Sequence, residues 1–225
     1  MHEWLQHRDS FLLEILRSYG LGDYSQITDC ATCHLRPGKF RCSDCFPHSS
    51  LRCVGCLLEN HKENPLHQIE VCLSSFFRSS TQLLLLQEWN GTFFEKQQLK
   101  DLGLRVQLGH GGRPCPCPAP GSSDFVIIHV NGVHHINVDF CDCGSLESPS
   151  PHPRVQLLRF GWFPATFERP KTAFTFDLLK LFHKVTLQGK TTLYDFYMAI
   201  IQLSDSLEID KSTVSNNIFL WIDSN

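Results

Sequence analysis

Several familiar signals are missing from this 225-residue sequence. Its start, Met1-His2-Glu3-Trp4-Leu5-Gln6-His7-Arg8-Asp9, carries charge at once and has no apolar core, so it is not expected to be a cleavable secretory signal. No uncharged apolar stretch is long enough to cross a bilayer; the nearest candidate is broken by Arg78. There is no basic excess either. Net charge is −3 with the histidines neutral, so any nucleic-acid contact must use a local patch and not a global field. The sequence contains no G-x-S-x-G elbow and no H-E-x-x-H pair, and its acidic residues are scattered. Gly189-Lys190-Thr191-Thr192 is similar to the end of a phosphate-binding loop. Lys184, however, stands where the upstream glycine is required, and a helix-to-helix turn is expected. These absences favour a soluble, intracellular, non-catalytic chain with neither a membrane nor a small-molecule substrate as partner.

Cysteine is abundant, with eleven in all. The number is odd and most fall in C-x-x-C pairs, which in a reducing compartment points to metal and not to disulfides. The ligand candidates run Cys30-x2-Cys33, Cys42-x2-Cys45, Cys53-x2-Cys56, then His61 and His67. A C-x-x-C turn lets two thiolates reach one ion, and eight ligands complete two closed tetrahedral zinc sites. Closed sites leave no position for water, so they are structural. Residues 28–68 have too few apolar residues to bury a core, whereas zinc binding is worth on the order of 10–16 kcal/mol. The histidines favour zinc over an iron–sulfur cluster. Spacing leaves the pairing open. Cys30, Cys33, Cys42 and Cys45 can share one ion, or Cys30 and Cys33 can join Cys53 and Cys56 while Cys42 and Cys45 join the histidines. The order of pairs resembles cross-braced B-box and RING modules, which implies the interleaved arrangement.

A second constellation gathers His110, Cys115, Cys141 and Cys143 as a possible third zinc site, with Cys117 as an alternative to His110. At most one of His134 and His135 can join it, since successive strand residues face opposite sides. His7, His152 and His183 read as lone surface or core residues.

The pattern is α+β. Residues 3–19 have helical apolar spacing and end at Gly20, as expected of a packing helix. Residues 88–108 are amphipathic. Phe125–Val130 and Val133–Phe140 are expected strands joined at Asn131-Gly132, a type I′ signal. Val155–Phe160 reads as a strand, and Phe174–Val185 and Thr192–Leu203 as helices. Four segments follow: 1–70 as helix plus zinc module, 71–87 as an insertion, 88–205 as the cysteine-cluster domain, and 206–225 as an unpatterned tail. The aromatic run of Phe160, Trp162, Phe163, Phe167, Phe174 and Phe176 reads first as core. The basic residues Arg154, Arg159, Arg169, Lys171, Lys180, Lys184 and Lys190 read first as a solvated face. A nucleic-acid patch is the less favoured reading of both.

Longer segments carry a family resemblance. WLQHRDSFLLEILR, RCSDC, CVGC and HKENPLHQIE, then WNGTFFEKQQLKDLGLRVQLGH, NGVHHINVDFCDC and QLLRFGWFPATFERPKTAFTFDLLKLFHKVTLQGKTTLYDFY follow one order. Over residues 4–70 and 88–205 the chain resembles the type-2 C-x-C-like cysteine cluster associated with KDZ (Kyakuja–Dileera–Zisupton) transposases, abundant in fungal genomes. The resemblance implies a nuclear, transposon-derived accessory region docking DNA at transposon ends, or a protein partner. Family members run almost directly from the Pro-Leu-His segment into Trp-x-Gly-x-Phe-Phe, so residues 71–87, Cys72 included, read as a retained intron or a gene-model error. They also continue into a catalytic RNase H-like region, which is expected to be missing here. The alternative is a B-box- or RING-like protein-interaction module unrelated to DNA.

Overall fold

The computed structural model describes residues 2–26, 29–48, 50–74, 92–145 and 148–204. It is an α+β protein in two units, Met1–His61 with His67–Gln97, and Lys62–Leu66 with Gln98–Asn225.

The first unit opens with helix α1 (His2–Tyr19). A three-stranded antiparallel sheet follows in the order β1 (Phe40–Cys42), β2 (Ile69–Ser74), β3 (Thr92–Gln97), with α2 (Val54–Asn60) between its first two strands. Among the described residues it buries mainly Cys30, Cys42, Cys53 and His61, with Leu51, Leu57 and Ile69 as apolar fill. Those three apolar side chains, at about 1.5–3 kcal/mol each, offset only a small part of the entropy of ordering the described residues. Val71–Ser74 of the expected insertion continue β2, while residues 75–87 and the tail from 206 lie outside the described residues.

Helix α1 forms where its spacing predicts, but it does not pack as expected. Trp4, Leu5, Leu13 and Tyr19 are each about two-thirds exposed. Its C-terminus is held by a residue that carried no signal in the sequence. Arg41 is buried on β1, pairs with Glu70 at 2.6 Å, and donates to the carbonyls of Tyr19 and Gly20 at 3.1 and 2.7 Å. Its guanidinium lies 3.4 Å from the centre of the Phe94 ring.

The second unit is built on a six-stranded mixed sheet. β4 (Arg105–Gln107) lies parallel to β7 (Gly132–Cys141), which pairs antiparallel with β6 (Phe125–His129). β9 (Thr172–Thr175) runs parallel to β6, β8 (Trp162–Pro164) closes that edge, and β5 (Pro118–Pro120) also pairs with β7. Apolar layers cover both faces. Phe125 and Ile127 pack with Val106, Ile136, Val138, Leu157 and Trp162 on one, and Val126 and Ile128 with Phe174, Leu178, Tyr197 and Ile200 on the other. A strand buried on both faces reads as a continuous apolar run, which is how Phe125–Ile128 reads. The second face is covered by α4 (Phe176–Gly189) and α5 (Leu193–Ser204), joined by a turn with Lys190 at φ 52°.

Two local expectations are corrected. The hairpin turns one residue early: His129 pairs with Gly132, so Val130 and Asn131 form the loop. Gly132, at φ 138°, starts the returning strand, while the Asn131 amide donates to the Leu66 carbonyl at 2.9 Å. Residues expected as a strand over 155–160 form helix α3 (Pro153–Arg159). The His152 side chain accepts from the Arg154 amide at 3.3 Å, Pro153 sits at the first helical position, and Gly161 at φ 81° ends the helix. That proline-in, glycine-out arrangement outweighs the short apolar run.

Candidate metal centres

The first unit contains two groups of four ligand atoms, each set lying within 4.8 Å of one another. Cys30, Cys33, Cys53 and Cys56 form one, and Cys42, Cys45, His61 and His67 the other. The order along the chain is therefore interleaved.

In the first group, Cys30 and Cys33 sit on a turn closed by the His34 amide donating to the Cys30 carbonyl at 2.9 Å. Cys53 caps α2 and Cys56 lies in its first turn, so one helical turn presents both sulfurs to one point. Cys33 and Cys53 approach to 3.9 Å, far beyond a disulfide bond, and every cysteine is free. Burial works to raise the Cys30 thiol, but backbone amides of Cys33, Cys53 and Thr32 outweigh it and bring it down to about 6. Hydrogen bonding with Cys53 and then burial push Cys56 up to about 12. Thiols this crowded cannot all ionise without a cation to balance them.

In the second group, Cys42 ends β1, Cys45 follows its turn, His61 caps α2 and His67 precedes β2. His61 is fully buried. Its Nδ1 is 2.7 Å from the Leu57 carbonyl and donates to it, which leaves the Nε2 lone pair facing Cys45 Sγ at 3.5 Å. Burial lowers its pKa, which favours the neutral imidazole a metal needs. His67 faces Cys45 and Cys42 through Nδ1, at 3.3 and 3.5 Å. Burial pushes Cys42 up to about 12.

The third group, in the second unit, is His110, Cys115, Cys141 and Cys143. Pairing of β5 with β7 sets Pro118 opposite Cys141 and so brings the Cys115 loop to the end of the hairpin. His110 Nε2 lies 3.3 Å from both Cys141 and Cys143, and Cys115 Sγ is 3.4 Å from Cys143 Sγ. Cys117 is not in the group: its thiol is exposed, its carbonyl accepts from the Asp142 amide at 3.0 Å, and its own amide serves the Cys115 and Cys143 sulfurs. Neither His134 nor His135 joins it. Both lie near the turn end of β7, on the order of 20 Å along the strand from Cys141. His134 instead contacts Asn131 Oδ1 at 2.7 Å.

Three supporting residues escaped the sequence reading. Buried Gln156 of α3 grips the Cys141 backbone at both ends, and Gln107 Oε1 accepts the Cys115 amide at 3.0 Å. Gly109, at φ 101°, lies where a Cβ would come within 3.0 Å of the Cys141 Cβ. A buried glutamine in a helix opposite a C-x-C strand end is the signal that could have found the first.

The groups fit a tetrahedral ion. With metal–sulfur bonds of about 2.3 Å and metal–nitrogen bonds of about 2.0 Å, tetrahedron edges are about 3.5–3.8 Å. The observed separations of 3.3–3.9 Å match them. The groups differ in cover. The first two each contain two buried ligands, whereas His110 and Cys143 of the third are exposed. Among the described residues no helix is long and apolar enough to cross a membrane.

Compared with family models, residues 99–208 match the one described as CxC2-like cysteine cluster associated with KDZ transposases. The span includes the third group and the whole of the mixed sheet's helical cover. No curated protein and no solved structure matches the chain significantly.

Proposed function

Because residues 99–208 are a CxC2-like cysteine cluster of the kind associated with KDZ transposases, we propose that the chain is a zinc-binding, non-catalytic accessory region that docks transposon DNA in the nucleus. The observation that carries the zinc assignment is the three four-ligand groups at tetrahedral edge lengths. Mixed sulfur and imidazole donors suit zinc, and four protein ligands leave no coordination position for substrate or water. In this reading the ions replace a core in the first unit and fasten the end of β7 in the second. Transposase association is what favours DNA over a purely protein partner.

A second reading, a B-box- or RING-like protein-interaction module, is favoured by the interleaved ligand order and by the exposed apolar side chains of α1. The deciding experiment combines native mass spectrometry of the zinc-loaded chain with DNA titration at several salt concentrations. Three zinc ions with salt-sensitive DNA binding support the first reading. Three ions with no DNA binding at low salt favour the second, and a chain that binds no zinc overturns both.

A further inference from the structure

The tip of the β8–β9 hairpin and the flank of α3 form a surface unlike the rest of this acidic chain. Residues 154–171 carry Arg154, Arg159, Arg169 and Lys171 against the single carboxylate of Glu168, a local excess of three positive charges where the whole chain has −3. Among the described residues none of those four cations forms an ion pair. Aromatic rings stand among them. Phe167, at the hairpin tip, is 65% exposed, and Phe160, at the end of α3, is 39% exposed. The Arg154 guanidinium lies 3.8 Å from the centre of the Phe167 ring. Ala165 donates to the Thr172 carbonyl and the Thr166 hydroxyl to the Arg169 carbonyl, which closes the loop that presents Phe167.

Exposed rings and unpaired cations point to different partners when they occur apart. Rings alone suit an apolar protein surface, and cations alone suit any polyanion. Here they occur together: the Arg154 guanidinium stacks on the Phe167 ring, and Arg169 stands two residues on in the same closed loop. Phosphates answer the cations, and an unstacked base answers a flat ring or guanidinium face. Only a single strand offers both at once, because a duplex keeps its base faces covered.

We propose that Arg154 and Phe167 are a stacking platform for single-stranded DNA, with the nearby Arg159, Arg169 and Lys171 taking its phosphates. The proposal rests on the DNA-docking reading and names the surface that reading would use.

The test is fluorescence anisotropy of the zinc-loaded full chain with a labelled oligothymidine strand, a duplex of equal length, and polyglutamate as competitor. Phe167→Ala is expected to weaken single-strand binding on the order of ten-fold and leave duplex binding nearly unchanged. Arg154→Lys, which keeps the charge but loses the planar stack, is expected to weaken it too. Removing Arg159, Arg169 and Lys171 together should flatten the salt dependence by about 0.7 per lost phosphate contact. Unchanged zinc stoichiometry certifies that each variant is folded. If the chain binds no DNA at low salt, the docking reading itself falls. If it binds DNA but Phe167→Ala and Arg154→Lys bind equally well, the platform is overturned while that reading stands. Equal loss of polyglutamate binding in both variants overturns the platform in favour of an acidic protein surface.

Discussion

Gln156 holds Cys141 by both of its backbone groups. The side-chain oxygen accepts the Cys141 amide at 2.7 Å and the side-chain nitrogen donates to the Cys141 carbonyl at 2.9 Å, with a further bond to the Pro151 carbonyl at 2.7 Å. Cys141 thus has its sulfur in the third group and its main chain tied to the buried side of α3.

That double grip makes Gln156 a way to loosen the third site without touching a ligand. Gln156→Leu leaves the Cys141 amide and carbonyl unpaired, a cost of about 1–3 kcal/mol. Affinity for the third metal equivalent should fall roughly 10–100-fold, as for other supporting residues of metal sites. Chelator competition measures it; an unchanged third equivalent would show that the grip is irrelevant to the metal.

Gly109→Ala acts on the same site through the backbone. The substitution meets a φ that L-residues avoid and a Cβ approach of 3.0 Å to Cys141. We expect about 1–3 kcal/mol of destabilisation, read in thermal unfolding. The first two metal equivalents should bind as before.

Metal uptake should release protons unequally. At pH 7.5 Cys42, pushed up to about 12, is protonated in the metal-free chain and must lose its proton to bind. Cys30, brought down to about 6, is already a thiolate at that pH. The all-cysteine group should therefore release fewer protons than it has thiols. Calorimetry in buffers of different ionisation enthalpy checks this, and release of one proton per thiol would contradict it.

Acid should weaken the β4–β7 pairing through Asp139. Hydrogen bonding to Arg105 holds this buried carboxyl below its usual 3.8. A depressed acid stabilises the fold above its unfolded value and loses that contribution as pH falls through the folded one. In the metal-free chain the loss should appear below about pH 4, and Arg105→Gln should move it upward. An identical acid transition in the variant would rule the pair out as its cause.

The candidate metal groups were more legible in the sequence than the fold around them. Three C-x-x-C pairs and two late histidines carry their chemistry in their spacing, because a turn and one helical turn are local geometry. The hairpin showed itself through Phe125–Ile128, although the turn slipped by a residue because Asn131 is engaged with Leu66 and His134. Val155–Phe160 misread because its six residues suit a strand or a buried helix equally by pattern, and its caps decide. The choice between His110 and Cys117 depended on the pairing of β5 with β7, a contact between distant residues that no local window contains. Arg41 was invisible for the same reason: its partners Tyr19, Gly20, Glu70 and Phe94 come from three separate segments.

The interleaving of the two N-terminal groups bears on how the chain can be made. Synthesised from its N-terminus, it cannot complete the first cage before Cys56 emerges, and by then Cys42 and Cys45 already wait inside that loop without their histidines. A nascent chain that has emerged past Cys56 but not yet to His61 would present one complete four-cysteine group and two thiols without their histidines. Only as His67 emerges do both cages close, so a short stretch of translation separates a reactive nascent chain from a sealed one.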